Sequence, residues 1–509
     1  MRYLYGASVQ GIQEFITQTG RLREIVGASE IVEKICTDTF LWVAGNQYTD
    51  NKIIRAAAGN IRYVFHTREA CEEVVARFPK EVMTMAPGIR ISQCVILLEG
   101  RSLAQALEII ESRLQQQRNR VPRPMEIGFM GLERSRRSGN VAVRMEEEDG
   151  EAICASIAKK KDHANGIRLL KSLTGDDDPR SEDFENQIDR MVLRDGNRWV
   201  AVVHADGNGM GTIIQSLGRL MAGEVDDHRV QRVFRDFSDT IDKCTKKAVQ
   251  RAYRKVVETF GLYRSNGKKI PIRPLVIGGD DVTLVMRADL AFEFTSTFLE
   301  AFEEETLTGF AAMFKEHALI GLEPGLTACA GIAYVGDSYP FHYAHELAEK
   351  LCHEAKQASK TIMEKVGGAK QTVPSSLSFY KVQDSFIEPD MSEIRERTQH
   401  TDQGVRFDYG PYFLHEGTYR RATIGGMRHR LDTLEKMRDE DGSASLSKLR
   451  KWVTEAYRNR DSASFLMDRI REIEKGRGDK DMYSTLDLAS HRKGHSMIME
   501  LLQLHGFND

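Results

Sequence analysis

Three aspartates at the ends of apolar runs are the residues of this chain whose type and spacing could do chemistry. Gly278-Gly279-Asp280-Asp281 lies between Pro274-Leu275-Val276-Ile277 and Val282-Thr283-Leu284-Val285-Met286. It reads as the tip of a β-hairpin carrying two adjacent carboxylates, with glycines that let backbone and phosphate approach closely. Asp206 is the third, in His204-Ala205-Asp206-Gly207-Asn208-Gly209-Met210-Gly211, directly after the buried-strand pattern Trp199-Val200-Ala201-Val202-Val203. Either string alone is commonly an ordinary turn or loop. Placed on neighbouring strand ends, however, the three carboxylates make a site for Mg²⁺ or Mn²⁺, hard cations that take oxygen ligands together with substrate phosphates. A pair of such ions about 3.5–4 Å apart clamps the attacking and leaving oxygens of a phosphoryl displacement. The chemistry implied is nucleotidyl transfer from a nucleoside triphosphate. Asp206, Asp280 and Asp281 are the expected metal ligands and catalytic residues. The backbone at Gly207, Asn208, Gly209, Met210 and Gly211, with Gly278 and Gly279, is expected to cradle phosphates.

The elements that must position these acids are legible around them. Apolar residues at Val230, Val233, Phe234, Phe237, Ile241, Cys244, Ala248, Ala252, Val256 and Phe260 recur at intervals of three and four, which describes one face of a long helix. The hairpin follows, then a helix through 290–305, an apolar strand over 326–334, and another helix through 343–360. Strand, helix, hairpin, helix, strand is the ferredoxin-like order, an antiparallel sheet with its helices expected on one face. The acids then fall on adjacent strands.

At this point the chain resembles a known family. His204-Ala205-Asp206-Gly207-Asn208-Gly209-Met210-Gly211, Ile277-Gly278-Gly279-Asp280-Asp281, Ala330-Gly331-Ile332-Ala333-Tyr334 and residues 347–356 are similar to the catalytic palm of the large subunit of type III CRISPR effector complexes, itself related to GGDEF cyclases. Residues 9–16 and 23–29 resemble the opening of that family's first palm, and 410–414 and 446–450 its terminal helical domain. The resemblance implies a cyclic oligonucleotide synthase of antiviral defence that uses ATP, with Lys356 as a phosphate-contacting lysine. RNA and the other effector subunits are the implied partners, and in this family the two palms face each other. Other readings are a catalytically weak scaffold subunit of an RNA-guided complex, or a stand-alone cyclic dinucleotide synthase, and homo-oligomers fit either. The family often carries an HD-type nuclease domain and a cysteine-bound zinc. This chain has no His-Asp dipeptide, and its stretch 125–161 holds only Cys154, so neither is expected.

An internal repeat supports two palms independently. Setting Gly6-Ala7-Ser8-Val9-Gln10-Gly11 against His204-Ala205-Asp206-Gly207-Asn208-Gly209 puts Ser8 where the second lobe has Asp206, and places Asn60 opposite Asp281. Residues 91–98 then match the later strand and 103–117 the last helix. The first lobe lacks acids, and Ser8 and Asn60 mark it as a nucleotide site with little direct metal help. The fold class expected is α+β: a degenerate first palm (1–122), a small insert (123–197), a catalytic second palm (198–390) and a C-terminal helical domain (391–509).

Composition agrees with a multidomain globular protein: 509 residues, 41% hydrophobic and 29% charged. No apolar run is long enough to span a membrane and the start enters a strand directly, which leads to the expectation of a cytoplasmic protein. The seven cysteines form no Cys-x-x-Cys pair and read as small buried hydrophobes. A net charge of −3 gives no global sign of nucleic-acid binding. Local basic groups at 134–137, 159–161, Arg420, Arg421, Arg428 and Arg430 read as solvated faces, and the acidic run 175–183 as a loop or flexible linker.

Overall fold

The computed structural model describes residues 1–45, 53–57, 59–119, 130–146, 150–177, 179–193, 196–262, 268–366, 373–383, 390–402, 404–416, 422–441, 444–477 and 494–508. Its first sheet is built from β1 (Tyr3–Gln10), β2 (Ile53–Ala57), β3 (Asn60–Phe65) and β4 (Arg90–Leu97) in the order β2-β3-β1-β4. The helices α1 (Ile12–Thr17), α2 (Leu22–Lys34) and α3 (Phe40–Ala44) follow β1, α4 (Arg68–Met85) follows β3, and α5 (Leu103–Arg118) follows β4. A capping box starts α5: Ser102 accepts from the Gln105 amide and the Gln105 side chain accepts from the Ser102 amide.

The second sheet repeats this order. After a hairpin, β5 (Ala142–Met145) and β6 (Ala152–Cys154), and two short helices, α6 (Ala155–Asp162) and α7 (Ile167–Thr174), the chain enters β7 (Trp199–Gly207). Then come α8 (Met210–Met221), α9 (Asp227–Thr259), β8 (Ile272–Gly278), β9 (Asp281–Arg287), α10 (Ala288–Glu316), β10 (Ala328–Gly336) and α11 (Phe341–Val366). The order β10-β7-β9-β8 mirrors β4-β1-β3-β2. The correspondence extends to register: Ser8 pairs with Asn60 across β1 and β3 as Asp206 pairs with Asp281 across β7 and β9.

Two features depart from the sequence reading. The helices do not share one face: Ala201, Val203, Ala205, Leu284 and Ile332 join the core of α9 and α10, whereas α11 lies on the opposite face, against Gly331. Both faces of the sheet are therefore covered, which is why its strands are near-continuous apolar runs instead of alternating ones. The sheet is also wider than expected. Strand β11 (Ser376–Lys381) pairs parallel to β10, and β12 (Tyr412–Phe413), within the stretch read as helical, pairs with β11. Helices α12 (Met391–Gln399), α13 (Ile424–Asp441), α14 (Ala444–Arg458), α15 (Arg460–Arg477) and a last one, Ile498–His505, then follow, with Trp452 buried among them.

The two palms share their interiors. Tyr5, Ala7, Ile61 and Tyr63 of the first belong to the same core as Val200, Val202 and Leu275 of the second. Arg2 Nη2 lies 2.5 Å from Asp227 Oδ2, whose other oxygen accepts from the Leu103 amide at 3.0 Å, tying the start of α9 to α5.

The insert holds a third correction. Arg137 and Lys160 are not on a solvated face: Arg137 binds Glu24 of α2, Glu146 (2.6 Å) and Glu151 (2.7 Å), and Lys161 pairs with Glu146. Lys160, fully buried, donates to the Phe15 carbonyl at 2.5 Å. The acidic run is likewise held, since Arg273, buried in β8, donates to the Ser181 and Glu185 carbonyls at 3.1 and 3.0 Å. Arg428 is bound by Glu293 and Glu300 of α10, and Arg420 and Arg421 lie outside the described residues. All seven cysteines are unbridged and all but Cys94 are buried. Among the described residues no helix is long and apolar enough to cross a membrane.

Candidate functional site

Asp206 is the penultimate residue of β7, and the antiparallel register sets it opposite Asp281, the first residue of β9. Asp280 is in the two-residue turn between β8 and β9, which Gly279 makes possible at φ +62°. Thr245 of α9 donates to the Gly279 carbonyl at 2.6 Å and pins that turn. Asp280 folds back over Gly207: a Cβ at Gly207 would meet the Asp280 Cβ at 2.9 Å, and the Gly207 amide donates to the Asp280 carbonyl at 3.2 Å. Any larger residue at 207 would displace the acid.

Lys356, on α11, reaches this strand end because α11 lies directly on the sheet. A Cβ at Gly331 would stand 2.1 Å from the Ala348 carbonyl oxygen, so glycine is what permits that approach. Lys356 Nζ donates to Asp206 Oδ2 and, at 2.9 Å, to the Gly207 carbonyl. Burial lowers the lysine's pKa, but the charge and hydrogen bond of Asp206 outweigh it and raise it overall.

The acids repel one another. Burial, and then the Asp206 charge, push Asp280 and Asp281 up to about 7. Asp281 is part-exposed, yet its Oδ1 is enclosed and accepts no hydrogen bond. Its neighbour at 3.5 Å is His204 Nδ1, which also lies 3.0 Å from Thr283 Oγ1. Burial brings His204 down to about 4, and His345, whose ring centroid is 6.3 Å away, down to about 4 as well. Glu349, one helical turn beyond His345, is raised to about 7 by burial and then by Asp281, and Gln13 of the first palm donates to it across the cleft.

The expected phosphate cradle is shorter than the sequence reading had it. The Gly207 amide is taken by Asp280 and the Asn208 amide by the Thr327 carbonyl at 2.8 Å. That leaves the first turn of α8, which begins where Gly209 adopts the left-handed conformation at φ +72°. Gly278 lines the cleft between the palms. Ser8 is buried with its hydroxyl unpartnered, and Asn60 pairs with it in register.

Among the described residues no three His, Cys, Asp or Glu side chains already form a closed metal group. Asp206, Asp280 and Asp281 nonetheless fit a divalent cation by chemistry: hard oxygens, mutually destabilised as anions, one of them orphaned, with phosphates able to complete the coordination. His204, Thr283, His345, Glu349 and Thr245 were not singled out in the sequence. His204 stands two residues before Asp206 on the same strand face, which was the available signal.

A family model described as Cas10/Cmr2, second palm domain, matches residues 199–363, the span from β7 to α11. Residues 199–363 thus resemble a Cas10/Cmr2 second palm domain, and that span includes Asp206, Asp280, Asp281 and Lys356. The fold of the whole chain is similar to that of solved Csm1-Csm4 cassettes. The cassette with pppApApA aligns at a TM-score of 0.52, 12% identity, 99% of this chain and 69% of that one. The cassette with cA4 gives 0.50 and 12%, over 99% of this chain and 70% of that one. With AMPPNP the TM-score is 0.42 at 14% identity, and the chain spans about half of that neighbour's length, 53%. The first two likenesses show a shared fold and no more. No curated protein sequence matches the chain.

Proposed function

We propose that the protein is a Mg²⁺- or Mn²⁺-dependent nucleotidyltransferase that joins ATP into a cyclic oligoadenylate. The observation that carries this is the register of the two palms: Asp206 beside Asp281, with Asp280 over Gly207, facing a first palm in which Ser8 and Asn60 hold the same positions without charge. The solved neighbours were crystallised with AMPPNP, cA3, cA4, pppApA and pppApApA, which supports an adenine nucleotide as substrate class.

In this reading Asp206, Asp280 and Asp281 hold the cation, which when bound supplies charge neutralisation at the attacking ribose oxygen and the departing pyrophosphate. Lys356 sits within reach of the same strand end and exchanges Asp206 for phosphate oxygens. The first turn of α8 receives a phosphate with its free amides. The cleft between the palms orients an acceptor nucleotide toward the acids, so that catalysis is mostly positioning and electrostatics. A protein subunit and RNA as partners belong to this proposal, as the neighbours are two-subunit cassettes.

The hydrogen bond of Lys356 to Asp206, which occupies one of the three acids, favours one rival, a catalytically weak scaffold subunit. Incubating the protein with each NTP and Mg²⁺ or Mn²⁺, then identifying products by mass spectrometry, separates the two. Oligoadenylates from ATP alone support the enzyme. Intact NTPs under all conditions, including with the partner subunit and RNA, leave the scaffold.

A further inference from the structure

One strand of the second palm buries serines where its neighbours bury apolar side chains. Residues alternate along β11: Leu377 and Phe379 join the core of α10, while Ser376 and Ser378, both fully buried, face α11. Both serines are directed at one stretch of that helix. Ser376 donates to the Ala355 carbonyl at 3.2 Å and lies 2.8 Å from the Ser359 hydroxyl, and Ser378 donates to Glu354 Oε2 at 2.6 Å. Buried hydroxyls need hydrogen-bond partners, and here those partners flank Lys356.

Arg395 of α12 closes the bracket. Its guanidinium meets both oxygens of Glu354, Nε to Oε1 at 2.9 Å and Nη2 to Oε2 at 2.8 Å, and donates to Ser378 at 3.0 Å and to Gln399 at 2.7 Å. Arg395 is 5% exposed, and a desolvated two-pronged pair of this kind holds its geometry far better than a single surface contact. Ser378 stands beside Gly331 in register, the point where α11 rests on the sheet. The helix is thus fixed by packing on β10 and by polar contacts on β11, and the lysine it carries reaches Asp206. The first palm lacks the second device: among the described residues its sheet ends at β4, and α5 packs on Gly6 through Ile110 and Leu114. The bracket occurs in the palm that has the acids.

We propose that Arg395 is a positioning residue: through Glu354 it fixes the turn of α11 that carries Lys356, and so keeps the ammonium group at the acid end of β7. It acts through the helix, not on the acids. The role of Lys356 there, exchanging Asp206 for phosphate oxygens, rests on the nucleotidyltransferase reading, but the position of the lysine can be read without turnover.

Acetylation of the full chain in EDTA by an N-hydroxysuccinimide ester, followed by peptide mass spectrometry, gives the rate at each lysine. Lys350, earlier on α11 and paired with Glu346 at 2.7 Å, reports on the helix as a whole, and the buried Lys160 on the fold. Arg395→Met should raise the Lys356 rate roughly fivefold or more while Lys350 and Lys160 stay unchanged, and Arg395→Lys should restore part of the protection. Asp206→Asn, which removes the lysine's own partner, should give the rate of a released Lys356. Where Arg395→Met does not fold, Glu354→Gln keeps the shape, removes the charge and is held to the same criteria. No change at Lys356, or equal acceleration at Lys356 and Lys350, would overturn the assignment. If Lys356 responds but no NTP is ever converted, the bracket stands and the enzyme reading fails; oligoadenylate made by a chain whose Lys356 ignores Arg395 does the reverse.

Discussion

Removing one carboxylate from the acid cluster should make the metal-free protein more stable, and by an amount that depends on pH. Asp280 titrates at about 7 in the folded chain against an ordinary 3.8, with burial as the main cause and the Asp206 charge next. A folded pKa above the unfolded one means that ionising the group costs the native state: the penalty is absent below about pH 4, grows through the interval and is complete above about pH 7. Taken whole, a shift of that size corresponds to about 4 kcal/mol. Asp280 shares its repulsion with Asp206 and stands partly open to the cleft, so solvent screening reduces the recoverable gain to about 1–2 kcal/mol. Asp280→Asn keeps the shape and removes the charge. Urea unfolding in EDTA should show the variant more stable than the parent by that amount at pH 8, with the gap closing toward pH 4. Saturating Mg²⁺ should stabilise the parent more than the variant, because it binds the native acids. A variant less stable at pH 8, or a gap that does not change with pH, would refute the claim that these acids are held together against their charge.

Lys356→Met should cut product formation at least about tenfold while tightening Mg²⁺ at the acids, since it removes the competing cation; unchanged turnover in the nucleotide assay would take Lys356 out of the site. Gly331→Ala places a methyl group 2.1 Å from the Ala348 carbonyl and should cost about 1–3 kcal/mol in denaturant unfolding as α11 lifts, with turnover falling alongside. Arg137→Met leaves Glu24 buried without its cation, while Lys161 still faces Glu146, so it should cost about 3 kcal/mol locally. Limited proteolysis should then cut within the insert first, and an unchanged cleavage pattern would show that this ion cluster does not hold it.

The acids were legible because each ends a strand whose apolar run is unmistakable: Trp199–Val203 before Asp206, and Pro274–Ile277 with Val282–Met286 around Asp280 and Asp281. A hairpin with a two-residue turn sets Asp281 opposite Gly278, and the separate pairing of β7 with β9 puts Asp281 opposite Asp206. Ser8 and Asn60 could be matched to them for the same reason, since strand order and turn length survive where the acids do not. What could not be read was contact between elements far apart in the chain. Gln13 reaches Glu349, and Arg137 reaches Glu24, only once both palms and the insert are packed. A basic run such as 159–161 looks solvated in one dimension, and nothing local reveals that Lys160 will be buried beneath Phe15. The placement of α11 opposite α9 and α10 was hidden as well, although Gly331 inside a strand was its trace. The short strand Tyr412–Phe413 has two residues, too few for any periodicity.

The most direct test of the central claim is the rate of pyrophosphate release from ATP by the parent chain and by the Asp280→Ala, Asp281→Ala double variant, side by side in Mg²⁺ or Mn²⁺ and with any partner subunit and RNA needed for activity. Nucleotidyl transfer at these acids predicts steady release by the parent, stoichiometric with oligoadenylate bonds formed, and none above background from a double variant that unfolds at or above the parent's temperature in EDTA. Equal release by both proteins would contradict the account.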